Sequence, residues 1–185
     1  MEKTKILGFA GSLRKQSFNR ALLKAAVELA PGDVEIEVFD LAGIPPFDQD
    51  DEFSMPEKVR EFKAKIRAAD AILIATPEYN YSIPGVLKNA IDWASRPADD
   101  NSWEGKPVAI MSASGGMLGG VKAQFHLRQV FVYLNMHALN RPEVVVPHIG
   151  QKIDQDGNIT DQHTRGKIRE LVEALARWSQ KINSR

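Results

Sequence analysis

The architecture of this chain is most directly readable from residues 70–93, which run DAILIATPEYNYSIPGVLKNAIDW. The first part, residues 70–75, is short and almost wholly apolar, which is typical of a buried strand. The last part, residues 86–93, has apolar residues at helical spacing, and Pro84 stands where an opening helix tolerates a missing N–H. These residues therefore predict a buried strand, a stiff polar loop over residues 76–85 and a helix in immediate succession.

A second unit of the same kind stands near the beginning of the chain. An apolar run over residues 5–10 precedes a polar loop over residues 11–19, and a helical pattern follows from Phe18. Free N–H groups at the start of a helix and the positive end of its dipole favour an anion. The loop adds hydroxyl, amide and guanidinium donors, at Ser12, Arg14, Ser17 and Asn19. These donors suit a phosphate monoester, whereas the loop matches neither the Walker A pattern nor G-x-G-x-x-G.

Other roles for these residues remain open from sequence alone. Ser12, Ser17 and Asn19 are of the types that commonly cap a helix before an apolar run. Arg14 on its own is also compatible with an ordinary exposed cation. The guanidinium and the hydroxyls occur in one loop directly after a strand, and this combination favours phosphate binding over capping alone.

Two further loops carry residues that suit the edge of a flat heteroaromatic ring. Residues 78–81 offer aromatic faces and backbone amides, and Tyr79 is assigned to the site whereas Tyr81 is left open. A third loop, residues 112–116, follows the strand-like run 107–111, and its glycines would let the main chain approach a ligand. Gly119 and Gly120 are expected to do the same, and a flexible loop before a helix is the alternative explanation for all four glycines.

Strand-like and helical runs alternate along the whole chain. We predict strands over residues 6–10, 34–39, 71–75, 108–111 and 144–146. We predict a first helix that ends near residue 29 and four more over about 56–68, 84–93, 121–134 and 161–182. This alternation predicts one α/β domain over residues 1–185, with a five-stranded parallel sheet covered on both faces. In a doubly wound sheet of three layers, ligands bind beyond the carboxyl ends of the strands where the strand order reverses. The loops at 11–19 and 77–85 follow the first and third strands, so they are expected to meet there.

Composition excludes several classes of function. The chain has 24 basic and 24 acidic residues, so no overall field favours nucleic acid or an anionic membrane. Cysteine is absent, which excludes disulfides, thiolate metal sites and a cysteine nucleophile. The four histidines are scattered without ligand spacing, and we predict no metal. Residues 1–4 lead directly into a short strand, so we expect no signal peptide, no membrane insertion and a cytoplasmic protein.

The three loops together resemble those of the NAD(P)H-dependent FMN reductases of flavodoxin-like fold, which include bacterial quinone and chromate reductases. The resemblance covers nearly the whole chain and implies the strand order 2-1-3-4-5. It also implies FMN as cofactor and NADPH or NADH as hydride donor, with no catalytic side chain because the flavin carries the chemistry. The cofactor-binding residues that it implies are Gly11, Ser12, Leu13, Arg14, Ser17, Asn19, Pro77, Glu78, Tyr79, Asn80, Ser82, Ile83, Ser114, Gly115 and Gly116.

The resemblance implies an oxidoreductase that passes two electrons to a small acceptor, such as a quinone, free flavin, chromate or another metal oxyanion. The alternative is an electron carrier of flavodoxin type, which the neutral net charge disfavours. The sequence does not place cations that would select NADPH over NADH, although Arg14, Lys15 and Arg20 are candidates. The helix over 125–134 is apolar around much of its circumference, and we expect a homodimer or homotetramer with Arg128 as a candidate interface residue.

Overall fold

The structure is a computed structural model that describes residues 3–184. The expectation about a leader falls partly on Met1 and Glu2, which lie outside the described residues. The strands are β1 Thr4–Ala10, β2 Val34–Phe39, β3 Ala71–Thr76, β4 Pro107–Ala113, β5 His137–Ala138 and β6 Val144–Val146. The helices are α1 Phe18–Leu29, α2 Glu57–Ala68, α3 Gly85–Ala94, α4 Val121–Tyr133 and α5 Gln162–Asn183.

The strands form one parallel sheet in the order β2-β1-β3-β4-β5, with β6 also paired to β4. This confirms the predicted parallel α/β sheet and its order 2-1-3-4-5. The predicted helices also match. Their predicted first and last residues differ from the observed ones by one residue at most. The prediction of a single domain over residues 1–185 stays a prediction.

The fifth position of the sheet differs from the prediction, because two short strands share it. β5 pairs with Pro107 and Val108 at the start of β4, whereas β6 pairs with Met111 to Ala113 at its end. The sequence predicted β6 and missed β5, which is only two residues long. The segment between them contains Pro142, which has no N–H to donate to a ladder, so the chain leaves the sheet there and returns.

The core lies on both faces of the sheet. One cluster packs α1 and α5 on residues such as Ile6 and Leu73, and the other packs α2, α3 and α4 on residues such as Leu7 and Ile72. Side chains of one strand alternate between the two clusters because successive residues point to opposite faces. β3 is buried along its whole length, as expected for a central strand. The sheet therefore holds the strand ends, and the loops that follow them, in fixed positions.

Close packing of α1 on β1 depends on one glycine. A Cβ built on Gly8 would lie 2.8 Å from Leu23 Cδ1, closer than real Cβ contacts come. The missing side chain lets α1 lie directly against the strand, and this sets the place where α1 begins. None of the helices between residues 3 and 184 combines the length and apolarity that crossing a bilayer requires.

Candidate cofactor site at the carboxyl edge of the sheet

The loops after β1, β3 and β4 meet at the carboxyl edge of the sheet, as the sequence predicted. They enclose a cavity of about 160 Å³, which is open to solvent. Its lining residues are Ser12, Arg14, Ser17, Phe18, Asn19, Pro77, Glu78, Tyr79, Ala113 and Ser114. The cavity lies between β1 and β3, where the order of the strands reverses. The fold and the three loops thus define a ligand-binding α/β protein with its site at the topological switch point.

The first loop presents several hydrogen-bond donors that the chain itself does not use. Ser17 caps α1, since its hydroxyl oxygen accepts from the N–H groups of Asn19 and Arg20 at 3.2 and 3.4 Å. The Ser12 hydroxyl oxygen accepts from the Arg14 N–H at 3.3 Å, and Ser12 is only 4% exposed. Both hydroxyls keep a proton to donate. Within residues 3–184, no acceptor is bonded to the backbone N–H groups of Ser12, Leu13, Lys15 and Gln16.

Arg14 lines the cavity, but its guanidinium is turned onto its own loop. Its Nε donates to the Gln16 carbonyl oxygen at 3.0 Å, a second nitrogen donates to the same oxygen, and the group lies over the Phe18 ring at 5.2 Å. No carboxylate is bonded to it within residues 3–184. The predicted role of Arg14 in binding the cofactor therefore stays a prediction.

Asn19 connects the first loop to the end of β4. Its Nδ2 donates to the Ala113 carbonyl oxygen at 3.1 Å, and its Oδ1 accepts from the Ala113 N–H at 3.0 Å. The sequence treated Asn19 as one of the phosphate donors, and that role is untested. The two bonds show that it fixes the distance between α1 and the third loop, a contact across 94 residues of chain that local spacing cannot reveal.

The second loop contains a tight turn at Tyr79–Ser82. The N–H of Tyr79 donates to the Ser82 carbonyl oxygen at 3.0 Å, and the reverse bond is 2.9 Å long. The two central residues, Asn80 and Tyr81, have φ angles of 51° and 66°, as in a hairpin turn of type I′. Within residues 3–184, the N–H groups of Asn80, Tyr81 and Ile83 have no acceptor, so they remain available to a ligand.

Helix α4 holds this turn in place through side chains that sequence reasoning did not connect. Glu78 Oε2 accepts from the Lys122 N–H at 3.0 Å and so caps the start of α4. Lys122 Nζ lies 3.0 Å from the centroid of the Tyr81 ring, and the Ser82 hydroxyl is 2.9 Å from His126 Nδ1. Glu78, which the resemblance placed among the cofactor-binding residues, thus makes a side-chain contact with the neighbouring helix. The spacing of 44 residues explains why no local pattern indicated it.

The third loop is fixed by backbone hydrogen bonds at Ser114, and the glycines that follow are open to solvent. The Ser114 N–H donates to the Val146 carbonyl oxygen and its own carbonyl oxygen accepts from the Ile149 N–H, both at 3.1 Å. A Cβ built on Gly115 would meet nothing within 4 Å, and one on Gly116 would meet only the Ser114 hydroxyl at 3.9 Å. Within residues 3–184, the N–H groups of both glycines have no acceptor. They therefore leave room and donors for a ligand.

Gly119 and Gly120, which the sequence also predicted to lie beside the ligand, are closely packed within the chain itself. Both have positive φ angles, and Cβ atoms there would lie 2.6 Å from Val145 Cγ1 and 2.8 Å from Ser112 Cβ, respectively. These two glycines are therefore required for the packing of the α4 start against β4 and β6. Gly11 is also closely packed, since a Cβ would lie 3.1 Å from Leu87 Cδ2.

The remaining predicted residues lie around the cavity rather than in its lining. Leu13 is about half exposed on the first loop, and Asn80, Ser82 and Ile83 continue the second loop away from Tyr79. Gly115 and Gly116 extend from Ser114 in the same way. The 160 Å³ cavity has room for a phosphate-sized group, and a flat ring system would lie across the open loops beside it. The end of the site at the first loop offers hydroxyls, free amides and a helix N-terminus, which suit a phosphate. The end at the second and third loops offers free amides, which suit the edge of a ring. This distribution of groups fits FMN.

The comparison with protein families gives the same class. Residues 4–151 match the model of the NADPH-dependent FMN reductase family. The match covers most of the chain, including all three loops. This chain therefore belongs to the NADPH-dependent FMN reductase family, and it is an oxidoreductase with FMN and NAD(P)H as its cofactors.

Relatives and solved structures agree with this assignment over almost the full length. The chain is 46% identical over 179 residues to an NAD(P)H-dependent FMN reductase of Pseudomonas aeruginosa, with 96% of each chain covered. It is 45% identical over 174 residues to a 2-hydroxy-1,4-benzoquinone reductase of a Burkholderia species, covering 94% of this chain and 95% of that one. The flavoenzyme NAD(P)H:(acceptor) oxidoreductase FerB of Paracoccus denitrificans superposes with a TM-score of 0.88 at 36% identity, covering 96% of this chain and 98% of that one.

Proposed function

We propose that this protein transfers a hydride from NAD(P)H to FMN held by the three loops, and then two electrons to a small acceptor. The observation that carries the proposal is that three loops meet at one cavity between β1 and β3, with unused backbone donors at Ser12 in its lining and on the loop residues that adjoin it. Most of these donors lie on exposed residues, so they are open to a ligand in solution. A bound FMN would engage them at both of its ends.

The first loop would hold the phosphate. The Ser12 and Ser17 hydroxyls both line the cavity at the start of α1, where a helix N-terminus favours an anion, and free amides of the same loop adjoin it. Charge-assisted hydrogen bonds to such an anion are about twice as strong as neutral ones. Ser17 therefore has two roles that are compatible, because its oxygen caps the helix while its proton remains free to donate.

The second and third loops would hold the edge of the ring. The turn at Tyr79–Ser82 fixes the free amides of Asn80 and Tyr81, and the open glycines at 115 and 116 present two more. Bound FMN supplies two-electron chemistry, accepting a hydride and giving up two electrons. Amides that are already oriented stabilise negative charge that grows on a ring without further reorganisation. No side chain is required to act as an acid or base in the hydride step, so Glu78 is proposed to position the turn.

The proposed acceptor is a quinone. This rests on the names of two relatives, the benzoquinone reductase of Burkholderia and a quinone reductase of Escherichia coli that is 40% identical over 185 residues, with 98% of each chain covered. The open loops beside the cavity would leave one face of the bound ring free for a planar acceptor. Free flavin, chromate and other metal oxyanions are proposed as further acceptors that this same open face would admit.

We also propose that the protein is a homodimer or homotetramer located in the cytoplasm. Helix α4 exposes Phe125, Val132 and Tyr133, which are 57%, 82% and 83% accessible. Large apolar side chains on one helix face are typical of surfaces that another subunit covers. Arg128 lies on the same helix but donates to Asn140 Oδ1 at 3.0 Å within its own chain, so its proposed interface role is secondary.

The visible spectrum of the purified protein tests this function. FMN is added, excess is removed, and NADPH is then titrated in without oxygen. Flavin bands that remain with the protein and bleach with NADPH are expected, and steady NADPH oxidation with benzoquinone would follow. A protein that retains no flavin contradicts the proposal, and one that binds flavin but never oxidises NAD(P)H is the electron carrier instead.

A further inference from the structure

The start of helix α4 contacts the second loop of the cofactor site at three places. Glu78 Oε2 accepts from the Lys122 N–H at 3.0 Å, and Lys122 Nζ lies 3.0 Å from the centroid of the Tyr81 ring. One helical turn further along, His126 Nδ1 lies 2.9 Å from the Ser82 hydroxyl oxygen. Histidine is the side chain whose charge ordinarily changes between about pH 5 and 8. The function proposed above gives His126 no role.

The hydrogen bond between His126 and Ser82 depends on the protons of the imidazole. The neutral ring has two tautomers, and in the one with its proton on Nε2, Nδ1 accepts from the Ser82 hydroxyl. The imidazolium has protons on both nitrogens, so Nδ1 donates and the Ser82 oxygen accepts. The Ser82 proton is then free to be donated to a ligand. A proton gained by His126 therefore ensures that Ser82 has a donor to offer.

Ser82 stands next to the free backbone donors of the second loop. Within residues 3–184, the N–H groups of Asn80, Tyr81 and Ile83 have no acceptor. Ser82 lies between the last two in the chain, and its side chain is half-buried. Its hydroxyl would therefore add one more donor to the group of amides that is proposed to hold the edge of the ring.

The charges that face His126 nearly cancel one another. Lys122, on its own helix, is positive, and Glu78 is the one carboxylate in residues 76–85. The other titratable groups of that loop are the uncharged phenols of Tyr79 and Tyr81. Within residues 3–184, no carboxylate oxygen lies within 4.0 Å of Lys122 Nζ or of the His126 ring nitrogens. Since His126 is exposed, it exchanges its proton with water and sets the net charge beside the second loop.

We infer that His126 is a positioning residue that acts through Ser82 and, when protonated, favours the reduced ring of FMN over the oxidised ring. The inference rests on the proposed function, because it assumes FMN with its ring edge at the second loop. Hydride transfer brings two electrons and one proton to the ring and leaves NAD(P)⁺, so the site gains one negative charge. An imidazolium and a free O–H donor stabilise that charge more than they stabilise the neutral, oxidised ring.

The first test measures the reduction potential of protein-bound FMN as a function of pH. His126→Asn keeps a polar group that can bond to Ser82 but has no titratable charge. At about pH 5.5, wild type should favour the reduced ring about fivefold more than the variant does, which corresponds to a potential about 20 mV more positive for a two-electron couple. The difference should disappear by about pH 8.5, where histidine is ordinarily neutral.

Two further variants test the charge itself. His126→Lys has only donors and stays charged, so it should keep the more positive potential at about pH 8.5. His163→Asn, at an exposed position of α5 outside the three loops, is the matched control and should follow wild type at every pH. Potentials of wild type and His126→Asn that coincide at every pH, or differ by the same amount at every pH, overturn the inference.

The second test separates this effect from a displaced loop. Fluorescence titration should give a Kd for oxidised FMN that differs by less than about twofold between wild type and His126→Asn, because the hydrogen bond to Ser82 is kept. In a Ser82→Ala background, His126→Asn should change the preference for the reduced ring by less than about twofold, because the hydroxyl between them is missing. The full fivefold effect in that background contradicts the role of Ser82.

The outcomes also distinguish the inference from the proposed function. A chemical reductant sets the potential, so the measurement does not depend on NAD(P)H. Bound FMN that shows the predicted pH dependence but is never reduced by NAD(P)H overturns the proposed function and leaves the role of His126 intact. A protein that retains no FMN overturns both.

Discussion

Polar groups at the two edges of the sheet differ in whether they are hydrogen-bonded within the chain. At the amino edge, Lys106 Nζ donates to the carbonyl oxygens of Arg67 and Ala69 at 2.9 and 2.7 Å. Lys63 donates to the Asp100 carbonyl oxygen at 3.0 Å and pairs with its carboxylate at 2.8 Å. At the carboxyl edge, amides from three loops remain without acceptors within residues 3–184. One edge is therefore closed by contacts within the chain, and the other keeps its donors for a ligand.

This difference shows where stability and function are located. Burial lowers the pKa values of Lys63 and Lys106, which shows that the amino edge accepts a desolvation cost to bind its loops together. The carboxyl edge keeps its donors near the surface, where water replaces the ligand at little cost. Substitutions at the amino edge should change the free energy of unfolding, and those at the carboxyl edge should change cofactor affinity.

The largest effect is expected from a negative charge in the first loop. Ser12→Asp removes a hydroxyl donor and places a carboxylate where the FMN phosphate would bind, so the Kd for FMN should rise at least about 100-fold. Fluorescence titration of FMN measures this. Ser12→Ala, which removes the hydroxyl donor and the acceptor of the Arg14 N–H but adds no charge, should raise the Kd about tenfold. Unchanged FMN affinity in Ser12→Asp would show that the phosphate binds elsewhere.

At the amino edge we expect a substitution to lower the free energy of unfolding and to leave FMN affinity almost unchanged. Lys63→Met leaves the carbonyl oxygens of Arg96 and Asp100 without their donor, and the free energy of unfolding should fall by about 1–3 kcal/mol. Urea denaturation measures the change, and the Kd for FMN should stay within about twofold. Lys167→Met, which removes a lysine of α5 in a solvent-exposed ion pair with Glu170, is a control for which we expect less than about 0.5 kcal/mol. A large loss of FMN affinity in Lys63→Met would contradict the separation of the two edges.

Glu78 contributes both to stability and to the shape of the cofactor site. Substitutions of Glu78 should therefore change both the free energy of unfolding and the Kd for FMN, each by a smaller amount. Glu78→Ala removes the cap from α4 and should cost about 1 kcal/mol of stability. The turn at Tyr79–Ser82 should loosen as well, raising the Kd for FMN about fivefold. Glu78→Gln keeps an oxygen acceptor and should retain wild-type kcat across the pH range. A loss of kcat in Glu78→Gln would instead indicate that the carboxylate moves a proton.

The smallest effect is a dependence of stability on pH at Asp100. Burial alone would raise the pKa of this carboxyl, but hydrogen bonds and charges from Lys63 and Arg67 lower it overall. A lowered pKa means that the ionised carboxyl stabilises the fold above its unfolded pKa, and this contribution is lost as the pH falls through the folded value. Asp100→Asn should therefore be less stable than wild type at pH 7 by about 1 kcal/mol or less, because the carboxyl is half exposed. Denaturation at several pH values should show the two proteins converging below about pH 4.

Local sequence patterns determined much of this protein. The apolar runs and helical periods predicted the parallel α/β sheet, and the loops 11–19, 77–85 and 112–116 predicted where a ligand binds. Such patterns are readable because strand and helix periods, prolines and glycines act over a few residues. The same locality explains why β5 was missed: two residues are too few to show a period.

The tertiary structure alone decided which residues work together. It joined Asn19 to Ala113, Glu78 to Lys122 and Lys24 to Asn158, in each case across 44 or more residues of chain. It also showed that Gly119 and Gly120 serve packing, whereas Gly115 and Gly116 remain open. These contacts depend on distances between separate helices, strands and loops, which no local sequence period encodes. The contacts exist only once the sheet has brought those elements together.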